Sequence, residues 1–257
     1  MVGATKKATP SSRRKIRRPD LAFWLEYPSL PACEIAALLG YRTAIFDMEH
    51  GVIPHETADQ LALACKKLGL AVYVRVASAE RVAIQHALDS GVDGVILPQI
   101  AGLAHAREAA AFTKYAPLGS RGVGYSRTMN YGGVAPDFFA TENRRTVCLA
   151  MIETPDALSD VAAIARLDTV DGLFIGPSDL SMTRGRGAFR ATDKDFADFA
   201  KIAAAAAKAG KIWALPAPGR AVFDFASQHH AAFVTVCDDL SALRSGFAQG
   251  LAVAGDR

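Results

Sequence analysis

The 257-residue chain is half hydrophobic (51%) and carries a formal net charge of +3 at pH 7. That length suits one α/β barrel, typically ~250 residues, and the apolar content supports a large core. The sign of the charge misleads: Lys6, Lys7, Arg13, Arg14, Lys15, Arg17 and Arg18 supply seven positive charges in an acid-free stretch, so the remainder stands at −4 and is a poor nucleic-acid surface.

Residues 1–18 read as a solvated basic tail without the apolar segment of a secretory signal, ahead of a single barrel domain over 19–257. Strand-like and helix-like segments then alternate. Leu21–Leu25 reads as a first strand and Ala32–Leu39 as a helix closed by Gly40. Thr43–Phe46 is a second strand, followed by helical spacing from His55 to Leu68. Ala71–Val76 and a helix over Glu80–Leu88 come next, then Gly94–Pro98 and a helix from about Leu103 to Tyr115. Residues 117–146, rich in glycine and proline, break the rhythm as a long loop. The alternation resumes with Val147–Ile152, a helix over Pro155–Leu167 opened by a proline suited to a first turn, Gly172–Ile175, and a helix over Asp195–Ala209. Ile212–Pro216, Arg220–Gln228, Ala232–Cys237 and a last helix from Leu240 complete eight β/α units. Eight right-handed crossovers close into a (β/α)8 TIM barrel; a doubly wound open sheet is the alternative.

No apolar run approaches the ~20 residues needed to cross a bilayer. Cys33, Cys65, Cys148 and Cys237 are widely spaced, three of them in apolar patterns, which points to a reduced, cytoplasmic protein. His55, His86, His105, His229 and His230 lie on or beside helices and read as surface or packing residues.

Barrel chemistry gathers at the C-terminal strand ends. Asp47, Glu49 and His50 follow the second strand, Arg75 the third, Glu153 the fifth and Gly176-Pro177-Ser178-Asp179 the sixth. Glu153 and Asp179 suit a hard divalent cation that keeps waters for a substrate to displace; as single acids, each could equally cap the next helix. Asp47 and His50 could form a carboxylate–imidazole dyad for general-base work, or His50 could be an ordinary loop residue. Arg75, inside an apolar run, needs an anion: a substrate carboxylate or an internal salt bridge. The glycine-rich Gly119–Gly124 stretch lacks the features of a phosphate loop and reads as a flexible wall near the barrel mouth.

At these residues the chain resembles the HpcH/HpaI aldolase family, the class II pyruvate aldolases that include 2-keto-3-deoxy-sugar-acid aldolases. The matching pieces are Phe46-Asp-Met-Glu-His-Gly51, Val74-Arg-Val76, Leu88-Asp-Ser-Gly91, Leu97-Pro98, Gly119-Ser-Arg-Gly122, Ile152-Glu-Thr154 and Gly172–Ser181. They run in family order from about residue 20 to 240.

The resemblance implies a barrel of the phosphoenolpyruvate/pyruvate type whose last helix is exchanged between subunits of a dimer-based hexamer. It implies a divalent ion (Mg²⁺, or Mn²⁺ or Co²⁺) held by Glu153 and Asp179 and chelated by pyruvate or a related 2-oxo acid. Arg75 would stabilise the enolate, and His50, positioned by Asp47, would move the proton. The amides of Gly176, Pro177 and Ser178 would cradle the substrate carboxylate, and Asp89 would approach a neighbouring subunit's site. Met151 stands where many family members have glutamine. Residues 182–187, Met-Thr-Arg-Gly-Arg-Gly, are more basic than the family pattern, which favours a multiply charged substrate. A citrate synthase of siderophore pathways shares the scaffold, so condensation of oxaloacetate with acetyl-CoA, or another acyl-CoA lyase reaction, is the alternative to cleavage or formation of a 4-hydroxy-2-oxo acid. A non-enzymatic binding role is the third reading.

Overall fold

A computed structural model describes residues 18–253. The basic tail expected over 1–18 lies outside them, save Arg18. The chain opens with β1 (Asp20–Leu25), α1 (Leu30–Leu38), β2 (Thr43–Asp47), α2 (His55–Lys67), β3 (Ala71–Arg75) and α3 (Arg81–Asp89). β4 (Gly94–Leu97), α4 (Leu103–Ala111), α5 (Phe138–Arg145), β5 (Val147–Ile152), α6 (Pro155–Ser159) and α7 (Val161–Ile164) follow. The last third holds β6 (Gly172–Ile175), α8 (Pro177–Thr183), α9 (Asp193–Ala209), β7 (Ile212–Pro216), α10 (Arg220–Gln228), β8 (Phe233–Asp238) and α11 (Asp239–Val253).

The eight strands pair in sequence order, all parallel, and β8 closes on β1. The open-sheet alternative is excluded, and the barrel is the expected one. Side chains alternate along each strand. One set, with Ile45, Tyr73, Leu149, Met151, Phe174 and Phe233, fills the barrel. The other, with Ala44, Phe46, Val72, Val74, Leu173 and Ile175, packs under the surrounding helices. Burial on both faces is why the strands read as near-continuous apolar runs. Among the described residues no helix is long and apolar enough to cross a membrane.

Several details differ from expectation. The helix expected over 155–167 divides at Asp160, whose carboxylate is engaged by the Leu103 amide at the start of α4 (2.9 Å). α9 starts two residues early because Thr192 and Asp195 form a reciprocal capping box. The glycine-rich stretch is not at the mouth. The segment after α4 lies at the opposite end, where the strands begin. There Ser120 N–H bonds Ala111, Arg121 N–H bonds Lys114, and the buried Lys114 ammonium pairs with Asp171 just before β6. Within this segment α5 forms where only loop was expected. It is held by contacts among Tyr115, Phe138 and Phe139 and by Glu142, which pairs with Arg121 and Arg145.

Candidate active site

The period of two that fills the barrel also sets its rim. Two residues beyond the interior positions Ile45, Tyr73, Met151 and Phe174 come Asp47, Arg75, Glu153 and Gly176, inward-facing at the strands' C-terminal ends. Asp47 and Arg75 are direct partners in the β2–β3 register.

Arg75 Nε donates to Asp47 Oδ1 at 3.0 Å while Nη2 reaches Oδ2, a bidentate pair. Trp24 Nε1 also donates to Oδ2 (3.1 Å), and the guanidinium lies 4.9 Å from the indole centroid. Glu49 Oε2 stands 3.2 Å from Arg75 Nη1 without hydrogen-bond alignment. Burial alone would push the Asp47 carboxyl up, but Arg75, Trp24 and the His50 amide hold it below the usual carboxylate range. Burial pushes Glu49 up, against the opposing charges of Arg75 and His50.

This arrangement corrects the expected dyad. Asp47 Oδ1 accepts the main-chain N–H groups of Glu49 (3.0 Å) and His50 (3.2 Å). Asp47 therefore fixes the turn that carries His50 and leaves the imidazole exposed at the rim. The tight path explains Gly51, where an added Cβ would collide with the carbonyl oxygens of Asp47 and Glu26. Arg75 satisfies the salt-bridge reading and retains spare donors, since a guanidinium has five N–H groups.

Glu153 is fully buried. Its Oε1 accepts the Gln99 amide at 2.6 Å, from a residue held at φ +52° after β4. Its Oε2 is buried without a partner. Burial pushes the carboxyl up to about 7, opposed by the Gln99 amide and reinforced by the charges of Asp179 and Glu49. Asp179 sits in the first turn of α8. A Cβ on Gly176 would lie 2.5 Å from Glu153 Oε2 and 2.7 Å from Met151 Cε, so only glycine leaves this carboxylate its space. A buried, unsatisfied carboxylate oxygen near a second acid fits a divalent cation. Among the described residues no three His, Cys, Asp or Glu side chains converge in metal-ligand fashion. Glu153 and Asp179 would leave the rest of the shell to water or substrate, as Mg²⁺ tolerates.

Above this layer opens a cavity of about 650 Å³ lined by Arg75, Met151, Gly176, Pro177, Ser178 and Asp179 on one side. Trp24, Glu26, Pro216, Thr235, Cys237 and Asp238 line the other. Of the expected amide cradle, Gly176 N–H is engaged by the Ile152 carbonyl (3.2 Å) and Pro177 has none. The free donors of this turn are the amides of Ser178 and Asp179.

The extra arginines do not serve the mouth. Arg184 pairs with Asp198 (3.0 Å), and Arg186 with Asp195 (3.4 Å) and Asp198 (2.6 Å) on the first turns of α9. Asp89 ends α3 at the far end of the barrel, bound to Arg121 at 3.1 Å, so it does not join its own chain's site. Gln99, Trp24 and Thr235 were not singled out from sequence. Only a count of two along each strand from the interior positions would have found the last two.

The family model for HpcH/HpaI aldolase/citrate lyase matches residues 21–219. A 5-keto-4-deoxy-D-glucarate aldolase from Klebsiella pneumoniae subsp. pneumoniae is 32% identical over 226 residues, covering 88% of either chain. Among solved structures, an HpcH/HpaI aldolase/citrate lyase family protein from Burkholderia cenocepacia superposes with a TM-score of 0.84 at 26% identity, covering 93% of this chain and 95% of that one. The citrate synthase SbnG reaches a TM-score of 0.82 at 21% identity, covering 92% and 93%, a likeness of fold. The rim residues, the closed parallel barrel and these matches together make the chain a member of the HpcH/HpaI aldolase/citrate lyase family.

Proposed function

We propose that the chain is a divalent-metal-dependent aldolase that makes or breaks a 4-hydroxy-2-oxo acid through the enolate of pyruvate. The observation that carries this is Glu153 Oε2, buried and unpartnered in the acidic layer with Asp179, directly beneath a cavity lined by Arg75. Glu153 and Asp179 would hold the ion, with Mg²⁺, Mn²⁺ or Co²⁺ suited to the oxygen donors. When bound, such an ion supplies Lewis-acid polarisation of an oxo acid.

The chain's own groups supply the rest. Arg75, locked by Asp47 and Glu49, presents its spare N–H groups to the enolate oxygen without reorganising. The Ser178 and Asp179 amides receive the substrate carboxylate. His50 takes the proton from the C4 hydroxyl as the C3–C4 bond breaks, and Asp47 holds the turn that carries it. Met151, Pro177 and Phe189 keep water from the enolate face.

The active unit on this reading is a homo-oligomer, a dimer-based hexamer in a cytoplasmic setting. α11 exposes Leu243, Phe247 and Leu251 in one stripe, four residues apart, which suits packing on a second copy of the chain. Asp89 would approach the neighbour's site in that assembly. Citrate formation is the weaker reading. The arginines that would have favoured a multiply charged substrate are neutralised by Asp195 and Asp198, which leaves it Met151 alone. The test is pyruvate release from a panel of 4-hydroxy-2-oxo acids, with each metal and with chelator; release with none of them sinks the proposal.

A further inference from the structure

On the aldolase reading, Thr235, Glu26 and Asp238 on the β8 and β1 side of the cavity are left without a part in handling the oxo acid. Thr235 faces inward two residues beyond Phe233, lines the cavity, and is 5% exposed, yet its Oγ1 has no partner. Beside it stand two cavity-lining carboxylates, Glu26 and Asp238. Asp239 adds a third charge just behind, its carboxylate taking the amides of Glu26 (3.1 Å) and Tyr27 (3.0 Å). Among the described residues no cation lines this side of the cavity. Arg75 is held by Asp47 and Glu49, Arg184 and Arg186 by Asp195 and Asp198, and Arg190 is exposed and does not line the cavity.

We propose that this wall binds the second substrate of the aldol reaction as an uncharged, hydroxylated aldehyde, its hydroxyls bonded by Thr235 Oγ1 and by the carboxylates of Glu26 and Asp238. Carboxylates accept hydrogen bonds from hydroxyls and repel an acceptor that is itself an anion. Asp238 Oδ1 already takes the Ser241 amide at 2.7 Å, which holds this carboxylate at the start of α11. In the condensing direction pyruvate C3 loses a proton and bonds the aldehyde carbon, whose oxygen takes up a proton to become the 4-hydroxyl; no oxidant or reductant enters.

The inference rests on the aldolase reading, so the experiment separates the two. Metal-loaded protein is first incubated with pyruvate in D₂O and exchange at C3 followed by NMR, which needs no aldehyde. Condensation is then measured with D-glyceraldehyde, propanal and succinic semialdehyde. The expected result is exchange, with kcat/KM for glyceraldehyde at least tenfold above both others. Thr235→Val, close to isosteric, should cut the glyceraldehyde-to-propanal preference about tenfold, and Glu26→Gln should shift the preference toward succinic semialdehyde. Exchange with succinic semialdehyde preferred, or an unchanged preference in Thr235→Val, overturns the inference and leaves the aldolase intact. Absence of exchange overturns the aldolase reading and this inference with it.

Discussion

Arg75 and Asp47 face each other in register on β3 and β2, and the guanidinium meets both carboxylate oxygens. The pair is almost wholly buried, so each charge depends on the other. Breaking such a pair from one side leaves an uncompensated charge and costs roughly 3–5 kcal/mol. Asp47→Ala should therefore lower stability to urea by about that amount, whereas Asp47→Leu combined with Arg75→Met should recover much of it. Both variants should lose pyruvate exchange by a factor on the order of 10² or more, because Arg75 is no longer held for the enolate in the first and is absent from the second. A double variant no more stable than the single one would show that the two residues do not act as a unit.

Gly176→Ala tests the space around the second rim carboxylate. The new Cβ would meet Glu153 Oε2 at 2.5 Å and Met151 Cε at 2.7 Å. The methionine end is flexible and yields, but Glu153 is pinned by the Gln99 amide. We expect a modest loss of stability, about 1–3 kcal/mol for overpacking, and a clear loss of Mn²⁺ affinity by calorimetry. Unaltered Mn²⁺ binding would mean that Glu153 is not a ligand.

The strand ends were legible because a period of two and a spacing of one β/α unit bring Asp47, Arg75, Glu153 and Gly176 to one rim. Partnership was not. Sequence proximity joined Asp47 to the His50 ring, three residues away, yet the carboxylate faces into the barrel and meets the next strand's residue, 28 positions on. Arg184 and Arg186 read as free charge because their partners, Asp195 and Asp198, lie beyond a glycine turn on a helix that starts at Asp193, ahead of the expected Asp195. Residues 117–146 read as a long loop, and the Gly119–Gly124 stretch within them as a wall near the mouth, from their glycines. Their place was decided instead by Lys114, Arg121 and Glu142, buried charges that find partners only where the strands begin.

α11 carries the assembly prediction. From Leu240 to Val253 the helix is exposed, and Leu243, Phe247 and Leu251 form an apolar stripe that its own barrel does not cover. Replacing Phe247 and Leu251 together by Asp should leave the barrel folded by circular dichroism and reduce its mass in light scattering to that of one chain. Assembly unaffected by the two charges would place the subunit contact elsewhere.

Glu153 gives a pH dependence whose sign follows from its burial. Its carboxyl titrates near 7 in the folded protein against an ordinary value of 4.5. Between those values the native state holds a proton that the unfolded chain has released, so stability falls as pH rises through this window. The stabilisation is fully present below about 4.5 and gone above about 7, a swing of at most ~3 kcal/mol. Metal-free protein should therefore melt at a lower temperature at pH 8 than at pH 5. Other groups titrate in the same range, so the decisive quantity is the difference between wild type and Glu153→Gln. The amide cannot ionise, keeps most of the shape, and should melt higher than wild type at pH 8 but not at pH 5. Divalent metal should raise wild type at pH 8, where the carboxylate is charged and otherwise unpaired, and leave Glu153→Gln unmoved. If the two proteins keep a constant difference in melting temperature across the range, the proton is not on Glu153.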